Sequence, residues 1–275
     1  MKYECLSDLE VYKKTRREVQ LIYRSILQTD ILLSLVESNK TLPQLREITG
    51  STSQAVIPKI RKLESMHFLE ENDHEYQLTS LGKVIASKIA DFSRTIESIN
   101  THSYYWTNHY MEGIPERILN EIGDLFNSEI ISDTNVNLFN VYTNYLKIVK
   151  EARHISGVSS VMSPGHADAI GERIIEGIPV ELVVSSDVAL QLKEEPYSGK
   201  INELADYKNF KLMVIDENIK VGLTVTDGCI SLGLYKKDGV TYDTTTDLFS
   251  FDRRAIAWGR KLFGYYQQRA VTLEI

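Results

Sequence analysis

The sequence predicts an α+β chain of two domains. A winged helix-turn-helix lies within residues 1–100. An α/β sheet domain, with a helical lead-in over 101–152, fills residues 101–275. Three observations predict this. The segment from Thr41 to Gly82 orders itself as helix, short turn, helix, hairpin and the start of another helix. After residue 154 the texture becomes short apolar strands separated by helices and Asp-Gly turns. The charge divides with the same boundary: residues 1–100 carry 14 Lys+Arg and 14 Asp+Glu, so the whole net charge of −7 falls in residues 101–275.

Residues 8–37 read as mostly helical, because Ile22, Ile26, Leu27, Ile31, Leu32, Leu35 and Val36 recur at helical spacing. Thr41 is an N-cap, and Leu42, Leu45 and Ile48 form one apolar face of the next helix. Gly50 suits the turn that follows. A cap near Ser53 or Gln54 keeps Pro58 close to the first turn of a helix running to Met66. Val56, Ile60, Leu63 and Met66 then point inward. Two short apolar edges, Phe68-Leu69 and Tyr76-Gln77-Leu78, flank a polar Asn-Asp tip and predict a hairpin. Thr79 or Ser80 caps a long helix whose expected buried face is Leu81, Val84, Ile85, Ile89, Phe92, Ile96 and Ile99.

In the second half, residues 101–126 are rich in aromatics and broken by Gly113-Ile114-Pro115, ahead of an amphipathic helix. Another amphipathic helix spans about 136–152. Residues 155–162 and 178–185 read as strands around a loop and helix at 163–177, a βαβ-like unit with parallel strands. Residues 210–216, 220–226 and 229–235 read as further strands. A long amphipathic helix at 251–269 closes the chain.

A helix-turn-helix with a wing sets its second helix into the major groove of double-stranded DNA. Ser51, Thr52, Ser53 and Gln54 can donate to phosphates or base edges, and Lys59, Arg61 and Lys62 suit phosphates. The competing reading is a helix pair that only packs a core. The wing carries Glu70, Glu71, Asp73 and Glu75 against one potential cation, His74, so the helix rather than the wing is expected to bind.

Trp106, His109, His166 and Arg173 are candidate ligand-binding residues of the second half. His102 and His109, seven apart on an expected helix, share a face near Trp106, and packing is the bland alternative. His166 is tempting as a nucleophile, but phosphodiester chemistry of the phospholipase D type needs Lys two residues later, and position 168 is Asp. No catalytic residue is assigned. Neither a Walker nor a G-x-G-x-x-G pattern nor His/Glu metal spacing occurs, so no cofactor and no metal is expected. Cys5 and Cys229 are far apart with no ligand partners, which points to a reducing compartment. No apolar run spans a membrane, and the charged start lacks a secretory core. A cytoplasmic protein without a membrane partner is expected.

LREITGSTSQAVIPKIRKLESMHFLEE…YQLTSLGKVIA resembles the winged helix of archaeal ArsR/MarR-type regulators. Over about 106–270 the chain is similar to the domain named for methanogenesis regulatory proteins. WTNHYMEGIPERILNEIGDL, KEARHISGVSSVMSPGHADAIGERIIEGIPVELVVSSDV and FSFDRRAIAWGRKLFGYYQQRA carry that likeness. The resemblance implies an archaeal, homodimeric transcription regulator whose second domain is phospholipase-D-like and non-catalytic. A small-molecule effector or partner there is expected to bias the DNA-binding heads. Two other readings stay open: a phospholipase-D-type phosphodiesterase, and an adaptor whose winged helix binds protein.

Overall fold

The computed structural model describes residues 6–273, and the chain divides into two compact units after Ser93. Cys5 lies outside the described residues.

The first unit opens with α1 (Asp8–Arg24) and α2 (Ile26–Ser34). The expected continuous helix breaks at Ser25, which leaves the helical region at φ −102° and ψ 90° and whose hydroxyl accepts from the Gln28 amide. Next come β1 (Lys40–Thr41), α3 (Leu42–Thr49), α4 (Ser53–Ser65), β2 (Leu69–Asn72), β3 (Glu75–Leu78) and α5 (Ser80–Thr101). The Thr41 amide donates to Gln44 Oε1 at 2.8 Å, the reciprocal half of a capping box. Gly50 adopts the left-handed turn expected of it. The cap of α4 is Thr52, one residue earlier than expected. Pro58 therefore sits in the second turn, inside the helix, where the Gln54 carbonyl receives no amide from it. That turn faces solvent, where water can take up the carbonyl.

α4 ends in a Schellman motif. The Phe68 amide reaches the Leu63 carbonyl at 3.0 Å and the His67 amide reaches Glu64 at 2.8 Å, with His67 left-handed at φ 59°. The wing turns on Asp73 and His74, both at positive φ, between the paired Asn72 and Glu75. This is a two-residue turn whose twist matches the strands. The small sheet runs β1-β3-β2, all antiparallel. Ile31, Leu32, Leu45, Val56, Ile60, Leu63, Leu69, Leu78 and Ile89 build its core.

α5 corrects one expectation. Of the predicted buried face only Ile89 is buried and Ile85 half-buried, whereas Leu81, Val84, Phe92, Ile96 and Ile99 are exposed. The inward positions are instead Gly82, Ala86, Ile89 and Ser98. The helix is rotated because its first turn packs against the end of α4, where a Cβ at Gly82 would stand 2.0 Å from the Phe68 carbonyl oxygen. α1 likewise buries none of its residues.

The second unit contains α6 (Ser103–Asn108), α7 (Glu116–Leu119), β4 (Glu129–Ser132), α8 (Asn140–Glu151), β5 (Ile155–Ser159), α9 (Pro164–Ile175), β6 (Val180–Ser185), α10 (Ser186–Gln191), α11 (Ser198–Leu204), β7 (Phe210–Ile215), β8 (Val221–Thr226), β9 (Ile230–Tyr235), β10 (Tyr242–Ser250), α12 (Arg253–Gln267) and β11 (Val271–Thr272). Strands β4, β10 and β11 and helices α10 and α11 go beyond the sequence reading. The eight-stranded sheet runs β11-β7-β6-β5-β8-β9-β10-β4. β5, β6 and β7 are parallel, while β8, β9, β10 and β4 continue antiparallel from β5.

The two faces of this sheet differ in chemistry because strand side chains alternate. One face carries Val221, Leu223, Val225, Ile230, Leu232, Leu234 and Leu248 against α6, α7 and α12. Trp258 is fully buried there and donates Nε1–H to the Ile118 carbonyl at 2.9 Å. Tyr105 donates its hydroxyl to Leu232 at 2.7 Å. The other face, under α8, α9, α10 and α11, carries Gly222, Thr224, Ser231, Gly233 and Asp247 from the same strands.

Gly82→Ala is expected to cost about 1–3 kcal/mol or more, as an overpacked core contact does, because the Cβ meets backbone rather than a movable side chain. Chemical denaturation checks this. Lys83→Ala on the exposed side of the same turn is expected to leave stability within about 0.5 kcal/mol.

Candidate functional site

Each unit carries a candidate site. In the first, the buried Val56, Ile60 and Leu63 pin α4 to the core and turn Gln54, Arg61 and Lys62 outward. Thr52 is exposed at the cap, and Ser51, Ser53 and Lys59 are half-buried. The structure thus places Ser51, Thr52, Ser53, Gln54, Lys59, Arg61 and Lys62 along one helix and the turn before it. Ser51 donates its hydroxyl to the Thr49 carbonyl at 3.2 Å, closing that turn.

Arg61 differs from the two lysines. Its Nη1 lies 2.8 Å from Glu64 Oε2 and 3.6 Å from Glu71 Oε2 on β2, so the acidic wing and the helix share this guanidinium. Arg61 is exposed to solvent, which screens both pairs and leaves them weak.

In the second unit a cavity of about 420 Å³ lies over the polar face of the sheet. It sits beside β5, where pairing changes from parallel with β6 to antiparallel with β8. Its opening includes the exposed Val161 and Thr244. Gly222 and Gly233, register partners on β8 and β9, leave room in the floor for the Tyr242 ring. A Cβ on either would stand within 2.2 Å of the Tyr242 hydroxyl. The phenol occupies the space that side chains would take.

His166 is the one sequence candidate that lines the cavity. Its ring sits against Tyr142 and Tyr145, and Nδ1 is 2.5 Å from Ser163 Oγ. Burial lowers its pKa, so it is neutral near pH 7. The other three candidates lie elsewhere. Trp106 is buried, with Nε1–H donating to the Ser98 carbonyl at 2.9 Å. Arg173 pairs with Glu176 and donates to the Ala152 carbonyl at 2.6 Å. His109 stands behind the cavity wall. Its Nδ1–H donates to the Tyr105 carbonyl at 2.7 Å, and Nε2 is 3.1 Å from Asp243 Oδ2. Burial opposes the charge, but Asp243 and the carbonyl, both acceptors, outweigh it and raise the ring's pKa, which favours the imidazolium. His102 and His109 do not share a helix, since α5 ends at Thr101 and His109 follows α6.

Two carboxyl groups that the sequence reading missed define the polar end of the cavity. Asp243 is buried, but hydrogen bonds from His109 and Thr245 outweigh desolvation and hold its pKa at about 2. Asp247 has one hydrogen bond, from Ser231 Oγ at 2.7 Å, and burial drives its pKa up to about 7. The small or polar residues that alternate with aliphatics in VGLTVT and ISLGLY signal the polar face they stand on, but β10, which carries both carboxyls, has no such alternation. Cys229 is buried with its thiol pushed up to about 12, so it is inert. Among the described residues no three His, Cys, Asp or Glu side chains converge as a metal site, and no helix is long and apolar enough to cross a membrane.

With this geometry established, comparison with known proteins places the chain. Residues 16–97 match the N-terminal domain, and residues 138–269 the middle domain, of the methanogenesis regulatory protein FilR1. The chain belongs to the methanogenesis regulatory protein family. It is 25% identical over 261 residues to methanogenesis regulatory protein FilR1 of Methanothrix harundinacea (strain 6Ac), covering 94% of this chain and 58% of that protein. The chain thus spans little more than half the length of that family relative. Among solved structures, TrmBL2, described as an archaeal chromatin protein, is 15% identical with a TM-score of 0.42, covering 94% of this chain and all of that one. Nuc, a phospholipase D family member of Salmonella typhimurium, is 10% identical with a TM-score of 0.42, covering 54% of this chain and 98% of that one.

Asp247 sets a pH dependence of stability. Its folded pKa lies above the unfolded value of 3.8, so its contribution is complete below pH 3.8 and lost as pH rises to about 7. His109, also raised, adds to the loss on the alkaline side. The melting temperature is expected to fall between pH 5 and 8, and Asp247→Asn to remove roughly 2–3 kcal/mol of the stability change across that range. Denaturant titrations across the range check this.

Proposed function

We propose that this member of the methanogenesis regulatory protein family is a sequence-specific, DNA-binding transcription regulator, acting as a homodimer and responding to a small ligand in its second unit. One observation carries the reading: the polar face of α4, from Thr52 to Lys62, is exposed on a winged-helix frame whose core is complete without it. α4 enters the major groove, where Gln54 can pair with adenine and Lys59, Arg61 and Lys62 meet phosphates. The wing, acidic from Glu70 to Glu75, stays off the DNA.

Dimerisation is supported by the exposed apolar stripe of α5 and by α1, none of whose residues is buried. Tyr23 of α1 and Phe92 of α5 meet edge-on, with ring centroids 5.8 Å apart, so the two surfaces join in one patch. A second copy of the chain is its proposed cover. A non-enzymatic role is supported by sequence: no histidine is followed two residues later by lysine, the pairing that phospholipase-D-type chemistry needs.

A map of bound sites on genomic DNA, followed by titration against the recovered site, tests the reading. Failure to bind any DNA at low salt would overturn it in favour of a protein-binding winged helix. Arg61→Ala and Lys59→Ala are each expected to weaken binding and lower the salt slope by about one. Glu71→Gln is expected to strengthen binding, by releasing Arg61 from the wing. Phe92→Arg is expected to yield a folded monomer by light scattering, because the side chain it replaces is more than half exposed.

A further inference from the structure

We propose that the 420 Å³ cavity on the sheet of the second unit binds a small organic cation with an apolar body, its charged nitrogen held against Asp247 among Tyr145 and Tyr242. This rests on reading that unit as the ligand-responsive one and names the chemistry of its ligand.

Charge balance selects the cation. Among the charged groups lining the cavity, Asp168 pairs with Lys200, and Asp243 pairs with His109 behind the wall. Among the described residues Asp247 has no ion-pair partner of its own: its hydrogen bond comes from the neutral hydroxyl of Ser231, and His109, whose charge reaches it, is paired with Asp243. An anion would find no free positive group, because His166 is held neutral by burial and Lys200 is already paired. A buried carboxyl without a partner is costly unless it takes a proton or a cation.

The surroundings complete the site. Tyr145 and Tyr242 line the cavity within Coulombic reach of Asp247, and burial keeps both phenols protonated. The Tyr242 hydroxyl has no protein hydrogen bond among the described residues. Aromatic side chains beside a carboxylate favour an ammonium over a neutral isostere. Much of the rest of the lining, including Val141, Val161, Met162 and Leu192, is apolar and suits a hydrocarbon body. The volume lies within the range of small-molecule sites, about 300–1,000 Å³.

Three probes with one body and different charge test this on the full chain: hexylamine, hexanol and hexanoate, titrated by calorimetry at pH 8 without DNA. Hexylamine is expected to bind at least tenfold more tightly than hexanol, and hexanoate least. Asp247→Asn should bring hexylamine to the level of hexanol. Should that variant not fold, the wild-type pH profile decides: hexylamine affinity is expected to fall about tenfold from pH 8 to pH 6 as Asp247 takes up its proton. The nearby His109–Asp243 and Lys200–Asp168 pairs and neutral His166 are the other charged or titratable groups, and Asp247→Asn separates their part. Hexanol binding as tightly as hexylamine, hexanoate binding best, none of the three binding, or a folded Asp247→Asn with unchanged hexylamine affinity overturns the proposal. Because no DNA is present, the result is independent of the operator titration.

Discussion

The second unit depends on one constraint, the period-two alternation of β8 and β9. Every second residue in β8 and β9 is Val, Leu or Ile, and those side chains, with Leu248 of β10, close the core against α12. Each buried aliphatic contributes about 1.5–3 kcal/mol, so this face alone holds the sheet to its long helix. The intervening residues are released from that duty. Gly, Thr and Ser stand there beside Asp247 of β10, and a hollow with a polar floor is the geometric result. Register protects the arrangement, since a slip by one residue would exchange the faces and bury Asp247 in the aliphatic core.

Within that hollow, two carboxyl groups four residues apart show how environment decides charge. Asp243 receives hydrogen bonds from an imidazolium, a hydroxyl and an amide, and is ionised far below neutrality. Asp247 receives one hydroxyl and sits deeper, so the desolvation penalty dominates. The negative charge on Asp243 adds to that penalty. The His109 charge opposes it, so the pair in the wall acts on its neighbour in both directions. The excess of acids over bases after residue 100 has one concrete expression here.

Much of the fold was legible because its signals are local. The cap at Thr41, the turn at Gly50, the hairpin and strands β5 to β9 follow from short-range chemistry that tertiary contacts did not override. Three features were illegible for physical reasons. Helical periodicity finds the apolar stripe of α5 but not what faces it, and the close approach of Gly82 to Phe68 turns the stripe outward. β10 opens YDTTTD, polar residues with no strand-like alternation, and its pairing with β9 shifts register between Tyr242 and Asp247. Aromatic and histidine density at 102–109 drew attention as a binding surface, yet Tyr105, Trp106 and His109 satisfy their polar atoms on backbone and Asp243. The cavity residues are separated by up to about a hundred positions, so no motif unites them.

The first unit resolves a related balance. With equal numbers of acids and bases over residues 1–100, affinity for a polyanion cannot come from net charge. It has to come from placement. Lys59, Arg61 and Lys62 sit on one helix, while the wing gathers four acids at its strands and tip. Arg61 lies at the junction, and its exposed pairing with Glu71 is weak enough to yield to a phosphate. On the proposed reading, exchange of Glu71 for a phosphate costs little and neutralises that phosphate. The same wing carboxylates oppose binding wherever no phosphate meets Arg61. On this reading the acids tune where the helix settles, and direct contacts from Thr52 and Gln54 then carry more of the discrimination than they would beside a basic wing.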